Sequence, residues 1–359
     1  MKVFEVRKDR LDETRMVQRD FPSIGDGEVL LSVDRYAFTA NNITYAVFGE
    51  AMHYWDFFPA QEEGWGIVPV WGFADVVASR CEGIEPGERF YGYYPMASHV
   101  KVRPGRVGKS GFSDVSAHRR ELPEVYNRYT RTSADPAYRE ALEAQQMLYR
   151  PLFMTSFLLD DFLAEADFFG AREAVLTSAS SKTAFGLAFL LNRNRKPGIE
   201  IRGLTSPSNL DFVNGLGCYD TVHPYEAIHE LPGEHRTLLV DFAGNTDLRR
   251  GIHEHYGESL AYSCSVGASH WDQAAGGGEL PGPKPTLFFA PSWVEKRMKD
   301  WGPGGIEQRV SAAWQAFLEA SRDWLEIREA SGDEALDRAY QRTLAGDMPP
   351  GVGQIVVMA

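Results

Sequence analysis

The feature that most constrains this chain is an alternation that begins at Glu173. Ala174-Val175-Leu176 is a short apolar run, Ser178 to Ala184 is small and polar, and Phe185 to Leu191 is apolar again and suited to a buried helix. Strand and helix patterns then take turns. Ile199–Leu204, Thr221-Val222, Thr237–Asp241 and Ser259–Ser263 read as strands, with Leu210–Leu216, Tyr225–Leu231 and Thr246–Tyr256 between them. Strands that alternate with helices pair in parallel, and a parallel sheet is covered on both faces. The predicted class is therefore α/β, a doubly wound parallel sheet of Rossmann type. Its opening strand, tight turn and helix resemble the start of a nucleotide-binding βαβ unit, where a helix N-terminus offers N–H groups and a positive dipole end to phosphate. The glycines of G-x-G-x-x-G are missing, so an ordinary buried strand-loop-helix is the competing reading.

The flanking regions read differently. Residues 1–104 carry short strand patterns (Met1–Val6, Glu28–Val33, Ala74–Ala78, His99–Val102) separated by Gly/Pro turns, which suggests a small barrel. Residues 105–150 are polar and rich in charge and tyrosine. Glu121–Tyr129 and Pro136–Leu148 are predicted as helices, the second with Asp135 as N-cap, on a surface insertion or arm, with an active-site lid as the competing reading. From Pro151 the pattern turns apolar, and Leu152–Phe169 is predicted as a helix leading into the strand at Ala174. Ile306–Trp324 is an amphipathic helix, followed by a helix at Asp333–Leu344 and a strand at Gln354–Met358.

Composition narrows the function classes. A length of 359 residues suits two domains, and a formal net charge of −13 without a basic cluster argues against nucleic acid and anionic membrane surfaces as partners. Cys81, Cys218 and Cys264 are far apart with no CxxC pattern, which fits a reducing cytoplasm and no structural zinc. The N-terminus has no apolar signal-peptide core, and no stretch approaches the roughly 20 apolar residues of a membrane span. No G-x-S-x-G elbow supports a hydrolase, and the histidines show no ligand spacing. A P-loop reading of Ser181-Lys182-Thr183 fails because Leu176 and Ser181 stand where its glycines belong.

The order of segments resembles the medium-chain dehydrogenase/reductase superfamily over most of the chain. The likeness is carried by GDGEVLLSVDRYAFTANN, VPVWGFADVVASRCEGIEPGERFYGY, TSASSKTAFGLAFLL, TSPSNLDFVNGLGCYDTVHPYE, VDFAGN and the tail from Leu325. More narrowly, the SASSKTA turn and absent zinc ligands resemble a bacterial branch known only as a domain of unknown function. The resemblance implies a GroES-like β-barrel substrate domain over 1–150, completed by 325–359, and a Rossmann-type dinucleotide-binding domain over 151–324. Zinc-dependent members need a Cys and a His-Glu pair where this chain has Ala37-Phe38-Thr39 and Val70-Trp71-Gly72-Phe73, so no metal is expected. Homodimerisation by sheet extension follows by analogy.

The cofactor expectation rests on the turn and on the second strand. Ser178, Ala179, Ser180, Ser181, Lys182, Thr183 and Ala184 take the place of the glycine-rich turn, offering hydroxyls and one cation to phosphate. An NAD site wants an acid after the second strand, but the residues there are Thr205, Ser206, Pro207, Ser208 and Asn209, with no acid before Asp211. Hydroxyls accept a 2′-phosphate that an acid would repel, so NADP(H) is expected; helix capping by Ser206 and Ser208 is the competing reading. Phe242, Ala243, Gly244, Ser265, Val266 and Gly267 end two further strands and should edge the cofactor, and Phe289 does so at the next strand or else marks a subunit edge. Asn41, Asn42, Thr44 and Tyr45 fall where zinc-free relatives place polar groups around a substrate carbonyl, with Tyr45 the first choice as proton donor. The aromatic density of that stretch suggests a large pocket for an apolar, conjugated small-molecule substrate, with a dimer surface or a core as equal alternatives. The expected reaction is hydride transfer from NADPH to an α,β-unsaturated carbonyl or a quinone without zinc. The alternative is a catalytically inactive NADP(H)-binding sensor or scaffold.

Overall fold

The computed structural model describes residues 1–194, 198–266, 280–302 and 304–358. The chain divides into two compact units, Met1–Leu148 with Leu325–Ala359, and Tyr149–Trp324.

In the second unit the six strands are Glu173–Leu176, Glu200–Thr205, Thr221–Pro224, Thr237–Asp241, Leu260–Val266 and Thr286–Phe288. Counted along the chain they lie in the order 3-2-1-4-5-6, and every adjacent pair is parallel. This is the Rossmann order, with the chain reversing direction across the sheet between the first and fourth strands. Glu173–Leu176 and Thr237–Asp241 are buried at every residue. Continuous burial of that kind is why their centres, Ala174-Val175-Leu176 and Leu238-Leu239-Val240, are unbroken apolar runs rather than alternating ones. The helix Lys182–Asn194 buries Phe185, Leu187, Leu190 and Leu191. The helix Gly305–Ala320 buries Trp314, Phe317 and Leu318, and stops four residues short of the predicted end at Trp324. Tyr225–Glu230, predicted as a helix, is a 3-10 segment.

The first unit is built on two sheets. Three antiparallel strands, Thr14–Gln18, Lys2–Arg7 and Trp65–Gly66, form the smaller one. The larger runs from Glu326–Ser331 and Val352–Val357 through Val29–Ala37, Pro69–Ser79 and Arg89–Pro95 to Arg128–Arg131, Gly111–Asp114 and Pro104–Gly108. Along Val29–Ala37 buried and less buried residues alternate over most of the strand, as expected of a sheet with one face on a core. That core joins Val29, Leu31 and Val33 to Phe4, Phe90 and Tyr340.

Three expectations need correction. Glu121–Tyr129 is not a helix; a single 3-10 turn at Glu124–Tyr126 leads into the strand Arg128–Arg131. The segment beyond residue 104 adds three strands to the main sheet instead of standing off it, because Arg128–Arg131 finds an open edge at Arg89–Pro95. The helices predicted at Pro136–Leu148 and Leu152–Phe169 are largely one α-helix, Glu143–Glu165, that runs through Pro151. Proline removes one helical N–H there. The buried side chains of Leu148, Tyr149, Phe153, Leu158 and Leu159 hold the helix together across it.

Candidate functional site

The turn after Glu173–Leu176 is fixed from three sides. The Ala179 N–H donates to Leu204 O (3.0 Å), and the Tyr219 hydroxyl donates to Ala179 O (2.9 Å). Gly203 makes room for this: a Cβ there would stand 2.9 Å from Ala179 Cβ and 3.0 Å from the Tyr219 ring. Ser178 holds φ at 49°, a left-handed conformation that glycine ordinarily supplies. Ser181 is the N-cap of Lys182–Asn194: its Oγ accepts the Ala184 N–H (3.3 Å) and its carbonyl the Phe185 N–H (3.0 Å). The N–H groups of Lys182 and Thr183 find no acceptor among the described residues, as expected of the first turn of a helix. Ser180 Oγ accepts from Asn209 Nδ2 (3.1 Å) and Thr205 Oγ1 (3.5 Å), which leaves its own proton to donate.

Lys182 is half-buried, and among the described residues no carboxylate pairs with it. Burial alone pulls its pKa down to about 8. A desolvated, unpaired cation beside two free N–H groups is a site with a deficit of negative charge.

The neighbouring strand end is fixed by Asp241. Its Oδ1 accepts Thr177 Oγ1 (2.8 Å), Ala243 N (3.1 Å) and Gly244 N (3.2 Å), and its Oδ2 accepts Arg249 Nε (2.8 Å). Thr177 Oγ1 also accepts Phe242 N (2.9 Å) and Ala243 N (3.0 Å). The N–H groups of 242–244 are therefore spent on holding the turn, so those residues can offer a ligand only side chains and carbonyls. Beside them is a cavity of about 460 Å³ lined by Tyr225, Glu226, Ala243, Asn245 and Leu248. Of these the sequence reading found only Ala243. The pocket joins the ends of two strands that are consecutive in the chain but separated in the sheet by two others, and Tyr225 just after a strand is a local sign of it.

The remaining cofactor candidates separate by exposure. Thr205 is fully buried, whereas Ser206 and Ser208 are more open and bond to each other (Oγ to Oγ 3.2 Å) without capping the following turn by side chain. Ser265 is buried, Val266 ends its strand, and Gly267 lies outside the described residues. Phe289 is exposed just beyond the edge strand.

In the first unit, the helix Ala40–Val47 carries Asn41, Asn42, Thr44 and Tyr45. Asn42 is buried and belongs to the fold: its Oδ1 accepts the Thr39 N–H (2.8 Å) and hydroxyl (3.2 Å), and its Nδ2 donates to Pro69 O (2.9 Å). Thr44 is exposed and bonds back to Ala40 O (3.3 Å). Asn41 and Tyr45 do meet. Asn41 Nδ2 donates to the Tyr45 hydroxyl at 2.7 Å, and Trp71 Nε1 donates to the same oxygen at 3.3 Å. With Asn41 and Trp71 donating to its oxygen, the Tyr45 hydroxyl keeps its own proton as a donor. Burial pushes the Tyr45 pKa well above that of a free phenol. Among the described residues, no three His, Cys, Asp or Glu side chains are placed to hold a metal ion, and no helix is long and apolar enough to cross a membrane.

A 3-2-1-4-5-6 parallel sheet with a serine- and lysine-bearing first turn, together with a unit of mostly antiparallel sheet, defines a chain of the medium-chain dehydrogenase/reductase fold. Within that class it belongs to the family described as protein of unknown function (DUF2855), matched over residues 36–349. No curated protein matches the chain. Among solved structures, it is similar to the CurK enoyl reductase at 12% identity and TM-score 0.56, covering 100% of this chain and 99% of that one. CurA from Vibrio vulnificus, in complex with NADPH, matches at 11% identity and TM-score 0.54, over 100% and 99% of the two chains. The quinone oxidoreductase from Thermus thermophilus, studied also as its NADPH complex, matches at 14% identity and TM-score 0.53 over 100% of both. At these identities the likeness establishes the fold.

Proposed function

We propose that this chain binds NADP(H) at the C-terminal ends of its parallel strands and, without zinc, reduces an α,β-unsaturated carbonyl or a quinone. The observation that carries the reading is Lys182, an unpaired, half-buried cation at the open N-terminus of the helix that follows the first strand. With the free N–H groups of Lys182 and Thr183 and the Ser180 hydroxyl, it suits a pyrophosphate. Ser206 and Ser208 offer hydroxyls where a 2′-phosphate would lie, and the first acid after the strand, Asp211, is inside the helix Leu210–Gly215. The Tyr225–Leu248 cavity has room and an aromatic wall for the adenine end. CurA and the Thermus thermophilus quinone oxidoreductase are both known as complexes with NADPH, which supports the same choice here.

NADPH would supply the hydride. This chain's part in the chemistry falls to Tyr45, which gives its proton to the oxygen or carbon that gains charge, held at the right angle by Asn41 and Trp71. The rival reading, a binding protein without turnover, is favoured by the turn's lack of glycines and by the burial of Tyr45.

Titration with NADPH and with NADH, followed by nicotinamide fluorescence and thermal shift, tests the cofactor half. NADPH binding well above NADH, and loss of that preference in the Ser206→Ala, Ser208→Ala double variant, is the expected result. Equal binding removes the phosphate argument, and no binding of either removes the cofactor site. NADPH oxidation across a panel of enones and quinones then separates enzyme from binding protein.

A further inference from the structure

Tyr126 lies on the segment between the strands Gly111–Asp114 and Arg128–Arg131, and it comes to rest on Tyr45. It ends the 3-10 turn Glu124–Tyr126, which is held by the backbone bond from Asn127 N to Glu124 O (2.9 Å) and by Asn127 Nδ2 to Arg119 O (3.2 Å). The Tyr126 ring packs against Tyr93 at 4.8 Å between centroids and edge-on to Tyr45 at 6.3 Å. Its hydroxyl lies 3.3 Å from that of Tyr54 and also reaches that of Tyr45. Three phenol groups thus meet at one place, contributed by three separate stretches of chain.

The other partners of Tyr45 cannot do what a phenol can. Asn41 and Trp71 donate amide and indole N–H bonds, which steady a phenolate but do not surrender protons at ordinary pH. Once Tyr45 has given its proton away, a buried phenolate remains, and Tyr45 is only 5% exposed to water. A buried charge of this kind must be neutralised before the next cycle. Both other rings touch Tyr45, Tyr54 at 4.6 Å and Tyr126 at 6.3 Å between centroids, but the hydroxyl that reaches its oxygen is that of Tyr126, the residue of the three most open to solvent, to which the Tyr54 hydroxyl is bonded.

We infer that Tyr126 reprotonates Tyr45 between turnovers, so that the added strands carry a working part of the site. The inference rests on the reductase reading with Tyr45 as proton donor. In each cycle the Tyr45 O–H bond breaks as its proton passes to the reduced substrate. The Tyr126 O–H bond then breaks as its proton forms a new O–H bond on Tyr45, and Tyr126 takes one proton from water, directly or through Tyr54. No electrons move in these steps, and each turnover consumes one solvent proton. Tyr126 acts through Tyr45 and touches no reacting atom.

The test compares wild type with Tyr126→Phe and Tyr45→Phe, using NADPH with 3-penten-2-one and with 1,4-naphthoquinone. Tyr126→Phe keeps the ring packing and is expected to lower kcat about tenfold or more with little change in the acceptor's KM. Its first turnover is expected at the wild-type rate, because Tyr45 starts protonated. Added imidazole buffer, a small proton donor, should restore the steady-state rate, which a packing defect would not allow. An active wild type whose Tyr126→Phe variant keeps full kcat, or whose variant is slowed from the first turnover and ignores imidazole, overturns the relay alone. An active wild type untouched by Tyr45→Phe overturns the donor assignment and the relay with it, and a wild type inert with every acceptor overturns the reductase reading itself. If Tyr126→Phe does not fold, 3-fluorotyrosine at position 126, which keeps ring and hydroxyl but makes the phenol more acidic, must shift the pH profile of the steady-state kcat and leave the first turnover unchanged; an unmoved profile overturns the relay.

Discussion

Replacing Lys182 with Met should weaken cofactor binding while leaving the empty protein more stable, two effects that a mere packing residue would not separate. The Lys182 ammonium has no carboxylate partner among the described residues, and burial lowers its pKa from 10.5 to about 8. A shift of that size corresponds to about 3 kcal/mol of cost to keep the charge in place, and the side chain's partial exposure reduces this to ~1–2 kcal/mol. Methionine fills the same space without the charge, so the urea midpoint of the empty variant should rise at pH 7. The phosphate contact is worth about 1.5–3 kcal/mol as a charge-assisted hydrogen bond, or roughly 10- to 150-fold in the NADPH dissociation constant. The pH dependence has a definite sign. The folded pKa lies below the unfolded one, so the unfolded chain holds more protons between about 8 and 10.5, and wild-type stability rises across that window. NADPH affinity should move the other way, falling as pH climbs past 8, and both trends should be absent in Lys182→Met. Fluorescence titration and urea unfolding from pH 7 to 10 read both. A variant that binds NADPH as well as wild type, or one that loses stability along with affinity, refutes the reasoning.

Other perturbations test the supports. Gly203→Ala puts a methyl group 2.9 Å from Ala179 Cβ, and should cost about 1–3 kcal/mol in urea unfolding and weaken NADPH binding by displacing the turn. Asp241→Ala leaves the buried Arg249 guanidinium unpaired and frees the 242–244 turn, so a loss of ~3–5 kcal/mol is expected by chemical denaturation. Asp160 is buried under Asn194, and burial raises its pKa from 3.8 to about 6. The folded chain therefore holds the extra proton between those values, and wild-type stability falls as pH rises through them. Asp160→Asn should gain up to about 3 kcal/mol above pH 6 and nothing near pH 4, as measured by thermal unfolding across that range.

The parallel sheet could be read because its strands are self-contained signals. Ala174-Val175-Leu176 and Leu238-Leu239-Val240 are apolar on both faces and bounded by turn residues, so no partner strand is needed to recognise them. The added strands of the first unit carry no such signal. Arg128-Tyr129-Thr130-Arg131 has one buried residue, and it becomes a strand only through its pairing with Arg89–Pro95 and Gly111–Asp114. Pro151 read as a boundary because proline ordinarily breaks a helix, and packing on both sides of it outweighed the lost bond. Thr39 and Asn42 stand three apart, the spacing of a capping pair, and that was an available clue to Asn42 being spent on the fold. The contacts of Trp71 and Tyr126 with Tyr45 bridge 26 and 81 positions, and no local pattern foretells them.

The strand Val352–Val357 enters the main sheet between Glu326–Ser331 and Val29–Ala37. The unit that holds Tyr45 is thus written in two instalments, with residues 149–324 inserted between them. On a ribosome the earlier instalment must wait, its edge at Val29–Ala37 open, until the later one is translated. The parallel-sheet unit is meanwhile finished and free to fold alone. A chain halted near residue 324 would carry an intact nucleotide fold and an unsealed first sheet with its Ile355 and Val356 positions missing. Nascent-chain proteolysis should show protection appearing first in the middle of the sequence and last at its beginning.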